Sequence, residues 1–195
     1  MGKSIIILHE IYGVNSHITD LKSYFESEGY VVYCPNLYQD SLTFKYDDEK
    51  QAYDYFINNV GFDKATGFIR NYITNKSKLH GSVYIVGFSI GATIAWRCSS
   101  DINNVKGIVG FYGSRIRNYL ALNPKCDVLL FFSEKENSFN TKDVIRVLNK
   151  KKNTRTHLLN EDHGFADRYS SKYSLEAQEY CFNEMMKFFN SGVVD

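Results

Sequence analysis

Short β-branched and aromatic runs alternate along this chain with amphipathic helical stretches, and that alternation restricts the fold more than any other feature. The runs cover 5–8, 30–34, 83–86, 105–111, 127–132 and 155–159. Several are apolar at both odd and even positions, the pattern of strands covered on both faces. Helical segments lie between them at 16–28, 47–59, 62–76, 90–100, 141–152 and 174–190. Ser16 reads as the N-cap of the first, which stops at Gly29, and Ser174 as the cap of the last. The repeat predicts an α/β fold: a doubly wound, mostly parallel sheet of about six strands with right-handed crossovers and helices on both faces. The irregular stretches 35–46 and 160–173 are candidate active-site loops.

The 195 residues, without internal repeat or linker, predict one domain over 1–195. Such a chain buries a core without disulfide staples. With 44% hydrophobic and 15% aromatic residues, disorder is excluded. The net charge of +1, with no run of five like charges, argues against a nucleic-acid or membrane-surface role. Cys34, Cys98, Cys126 and Cys181 are widely spaced and read as buried free thiols in a reducing compartment. The opening MGKSIIILHE reads as a first strand rather than a signal peptide, and the expected location is cytoplasmic.

Gly87-Phe88-Ser89-Ile90-Gly91 directly follows the strand run at 82–86 and opens a helix. A serine on such a turn is a nucleophile elbow, and glycines on either side let neighbouring backbone approach closely. The helix aims its first N–H groups and positive dipole end at a developing oxyanion. The pentapeptide alone is weak, and its placement between strand and helix gives it meaning.

A serine nucleophile needs a base. His17 and His80 read as surface groups, and His157, in a strand, reads as a packed or edge histidine. His163 follows the last strand, where an open α/β sheet assembles its sites, and is the candidate base. The loop after the fifth strand, Ser133-Glu134-Lys135-Glu136-Asn137, supplies an acid in the chain order serine, acid, histidine. After the first strand, Ile11 is placed to give a second oxyanion N–H beside that of Ile90. Zinc is a poor reading, because His9-Glu10 has no second histidine at helical spacing.

Taken together these pieces resemble the dienelactone hydrolase family of α/β-hydrolases. HEIYGVN resembles the family's strand-end motif with its glutamate, and GYVVYCPNLY its second strand and turn. GFSIGA matches the elbow, GFYGS (110–114) the next strand end, SEKEN the acid loop, and DHGFADRYSSKYSLEAQEY the histidine segment and last helix. The resemblance implies strand order 2-1-3-4-5-6, Ser89 as nucleophile, His163 as base, Glu136 as acid with Glu134 as fallback, and Glu10 at the strand end. It departs from the namesake enzymes in having serine rather than cysteine. It also has Asp167, with Arg168 one step later, where the family has an anion-binding arginine. A serine hydroxyl is far less acidic than a thiol, so Glu10 is expected to pin the oxyanion turn or touch substrate rather than to govern ionisation.

The expected function is therefore a serine hydrolase of a small ester, lactone or thioester, using a Ser-His-Glu triad without cofactor or metal. Glu10, Tyr12, Phe88, Tyr112 and Arg168 are expected to line the substrate pocket. A non-catalytic scaffold of the same fold and a flavodoxin-like small-ligand-binding module are the alternatives. The expected partner is a small ester-type molecule, with no nucleic acid or membrane, and the protein a monomer or homodimer.

Overall fold

The computed structural model describes residues 3–38, 40–80, 83–101, 104–136 and 138–191, with only the backbone for 76–80. Ser82, Asn137 and the His80 side chain lie outside the described residues. Six strands pair in parallel in the order β2-β1-β3-β4-β5-β6. They are β1 (Ser4–Leu8), β2 (Val31–Tyr33), β3 (Val83–Phe88), β4 (Val105–Phe111), β5 (Asp127–Ser133) and β6 (Thr154–Leu159). The connecting helices are α1 (Ser16–Ser27), α2 (Glu49–Tyr55), α3 (Gly61–His80), α4 (Ile90–Cys98), α5 (Thr141–Leu148) and α6 (Leu175–Asn190).

Strand parity divides the core into two layers. Ile6, Leu8, Ile85, Leu130 and Phe132 pack on one face with Ile69 and Ile73 of α3, Ile94 of α4 and Leu148 of α5. Their strand neighbours Ile5, Ile7, Val86, Leu129 and Phe131 pack on the other face with Phe25 of α1 and Met185 and Phe189 of α6. Most of these side chains are fully buried, each stabilising the fold by roughly 1.5–3 kcal/mol. β1, central and covered on both faces, has no exposed residue.

Local details differ from the sequence reading at the first cap and between the second and third helices. Asn15, not Ser16, caps α1, its side chain accepting from the Ile18 N–H at 3.3 Å. The second and third helical segments meet through a π-helical turn, Phe56–Val60, that ends at Gly61 with φ 68°. Ser174 caps α6 as expected. Among the described residues, no helix is long and apolar enough to cross a membrane. Because the strands run parallel, Glu10, Ser89, Tyr112, Glu136 and His163 all fall beyond carboxyl ends at one edge of the sheet.

Candidate active site

Ser89 stands between β3 and α4 with φ 51° and ψ −110°, a left-handed conformation that costs a non-glycine residue on the order of 1–3 kcal/mol. Its surroundings enforce it. The Ser89 N–H donates to the Phe111 carbonyl at 3.0 Å, and the Ser89 carbonyl accepts from the Thr93 N–H at 3.2 Å. The flanking glycines are required by space: a Cβ on Gly87 would strike the Gly91 carbonyl, and one on Gly91 would strike that of Leu8. Among the described residues, no side-chain cap bond forms at the N-terminus of α4.

His163 joins two loops. Its Nε2 lies 2.9 Å from Ser89 Oγ and its Nδ1 lies 2.5 Å from Glu136 Oε1. A carboxylate only accepts, so Nδ1 carries the proton and Nε2 presents its lone pair to the serine hydroxyl. Glu134, two residues away, instead pairs with Lys142 of α5 at 2.5 Å. Of the two loop glutamates, Glu136 is the one that reaches the histidine.

The turn after β1 is tied down from three sides. His9 is fully buried, accepts the Leu37 N–H at Nε2 (2.9 Å) and donates from Nδ1 to the Glu10 carbonyl at 2.5 Å. Burial pushes its pKa down to about 4, so it stays neutral. Tyr38 donates its hydroxyl to the Ile11 carbonyl. Tyr112 donates its hydroxyl to Glu10 Oε1 at 2.6 Å. Burial first, then the neighbouring Asp167, raise the Glu10 carboxyl to about 7, while the Tyr112 hydrogen bond and His163 oppose the rise. Asp167, fully buried, accepts from the Tyr46 hydroxyl at 2.5 Å and the Tyr169 N–H at 2.9 Å.

The chain matches the dienelactone hydrolase family over residues 1–193. It belongs to that family. The uncharacterized Bacillus subtilis (strain 168) protein YczH is 40% identical over 165 residues, covering 84% of this chain and 80% of its own. A Pseudomonas putida carboxymethylenebutenolidase is 28% identical over 130 residues, 62% of this chain and 54% of the relative. A Klebsiella pneumoniae crystal structure, provisionally named a dienelactone hydrolase, superposes with TM-score 0.79 at 20% identity, covering 97% of this chain and 88% of that one. The fold is that of the α/β-hydrolases.

In this family member the cleft of about 360 Å³ is lined by Ser89 and His163 together with Glu10, Ile11, Tyr12 and Ile90. Three residues expected on its wall are elsewhere. Phe88 shares the strand parity of Val86, so it faces the α1/α6 layer, stacked on Phe111 at 4.7 Å and fully buried. Tyr112 is 1% exposed and stands behind Glu10. Arg168 is exposed, 3.6 Å from Asp20, because its neighbour Asp167 takes the inward position.

His17, expected at the surface, is 2% exposed, with Nδ1 3.5 Å from Asp167 Oδ1 and, among the described residues, no hydrogen-bond partner for Nε2. Burial lowers its pKa. His157 matches its reading as an edge histidine, half-buried on β6 with Nδ1 2.7 Å from the Tyr180 hydroxyl. The cysteines are free, three buried and Cys34 half-buried. Glu10, His17 and Asp167 each bring one potential metal-ligand atom within 4.8 Å of the others. The members of that trio come from separate elements, so no spacing in the sequence brings them together.

Proposed function

We propose that this protein is a serine hydrolase that cleaves a small carboxylic ester, lactone or thioester through an acyl-enzyme. The observation that carries this reading is the His163 imidazole bridging Ser89 Oγ at 2.9 Å and Glu136 Oε1 at 2.5 Å. Ser89 Oγ attacks the carbonyl carbon while its proton passes to His163 Nε2. Glu136 holds the imidazole in the correct tautomer and stabilises the imidazolium. The negative oxygen of the tetrahedral intermediate is met by the Ile90 and Ile11 N–H groups at the elbow and the pinned turn. Collapse expels the alcohol or thiol, which takes the proton from His163. Water, giving its proton to His163 Nε2, then attacks the acyl carbonyl, and collapse releases the carboxylic acid as the proton returns to Ser89 Oγ.

Family membership and the carboxymethylenebutenolidase relatives support hydrolysis as the reaction class. The test is labelling with a fluorophosphonate followed by mapping of the modified peptide. Modification at Ser89, absent in Ser89→Ala, is the expected result. A folded protein that the probe leaves untouched would support the non-catalytic scaffold and overturn this assignment.

A further inference from the structure

Ser89 and Tyr112 are the two non-glycine residues with positive φ among the described residues, at 51° and 40°. They stand at the ends of the adjacent strands β3 and β4. Strain of this kind persists only where the surroundings over-determine it, and it concentrates at functional sites. For Ser89 the elbow explains it. Tyr112 has no part in the chemistry described above, yet its backbone is held as firmly: its N–H donates to the Phe131 carbonyl at 2.7 Å and its carbonyl accepts from the Ser114 N–H at 2.9 Å.

The strained backbone sends the Tyr112 side chain between two parts of the site. Its ring centroid lies 4.8 Å from that of His163, and Phe165 closes the other side edge-on at 5.3 Å. Its hydroxyl reaches Glu10 Oε1 at 2.6 Å in a buried environment. One rigid side chain with two rotatable torsions thus touches the imidazole and the carboxyl of the oxyanion turn. We propose that Tyr112 is a positioning residue for hydrolysis, a strut that sets the Glu10–Ile11 turn and the His163 ring in register with each other. The inference rests on the serine-hydrolase reading.

The hydroxyl acts through Glu10, which makes the proposal testable by a double-mutant cycle. Tyr112→Phe keeps the ring against His163 and removes only the bond to Glu10. The measurement is the second-order rate of fluorophosphonate labelling of Ser89, which uses the same base and oxyanion donors as an ester. Tyr112→Phe is expected to slow labelling about tenfold, the scale of a misaligned donor not lost outright. Glu10→Ala is expected to slow it further. The Glu10→Ala/Tyr112→Phe double variant should then match Glu10→Ala alone, because the hydroxyl has nothing left to position.

Thermal melts on the same samples separate positioning from folding. A Tyr112→Phe rate equal to wild type, or losses that add in the double variant, would overturn the role of Tyr112 and leave the nucleophile assignment standing. Failure of the wild-type protein to label at Ser89 would take both down.

Discussion

The Nδ1 of His163 lies 2.5 Å from Glu136 Oε1, and that contact fixes which imidazole nitrogen faces Ser89. Glu134, on the same loop, is engaged by Lys142. Replacing Glu136 by Gln offers Nδ1 a group that both donates and accepts, so the useful tautomer is no longer enforced. Turnover of an activated ester should fall about 10²–10⁴-fold in Glu136→Gln. Glu134→Gln, which removes a surface ion pair, should stay within about twofold. The reverse pattern would move the acid to Glu134.

Ser89 should be the sole covalent nucleophile. Burial pushes the Cys34, Cys98 and Cys126 thiols up to about 12 and raises that of Cys181 as well, so none supplies thiolate at neutral pH. Ser89→Ala is expected to lose all detectable esterase activity. Iodoacetamide on the native wild type is expected to leave activity intact. Residual labelling of Ser89→Ala at a cysteine would contradict this.

In the proposed serine hydrolase, Glu10 is expected to support a turn rather than an ionised nucleophile. Glu10→Gln keeps an oxygen for the Tyr112 hydroxyl, whereas Glu10→Ala leaves the hydroxyl unpaired and the turn unsupported. Turnover should therefore fall less in Glu10→Gln than in Glu10→Ala, the latter losing up to about 10²-fold. Equal large losses would show that the charge itself takes part.

The same carboxyl gives stability a pH dependence. Its value rises from an ordinary 4.5 to about 7 on folding, so the folded protein binds the proton more tightly than the unfolded chain. Stability from this group is present below pH 4.5 and is lost as pH climbs to about 7. Glu10→Gln does not titrate, so its melting temperature should gain on wild type between pH 5 and pH 8. A shift of roughly 4–8 °C corresponds to about 2 kcal/mol in a chain of this size. His9, lowered to about 4, pulls the other way between that value and 6.5, but it is common to both proteins and cancels in the difference. A difference that does not change with pH would refute the coupling.

Sequence alone determined what depends on near neighbours. Strand and helix segments follow from periodicity, and the elbow from two glycines either side of Ser89. The loop positions of Glu136 and His163 follow from the strands that precede them. Phe88, expected on the pocket wall, follows the alternation of β3 instead and faces the side of Val86. Tertiary structure decided contacts across long separations: Tyr112 with Glu10 over 102 residues, Tyr46 with Asp167 over 121, and the burial of His17 beneath the histidine loop. A single helix or strand carries no record of which distant side chain will cover it. His17, in a first helical turn, reads as solvated until the loop bearing Asp167 folds over it and excludes water. The choice between two glutamates two residues apart was made the same way, by which one lay within reach of an imidazole 27 residues further along the chain.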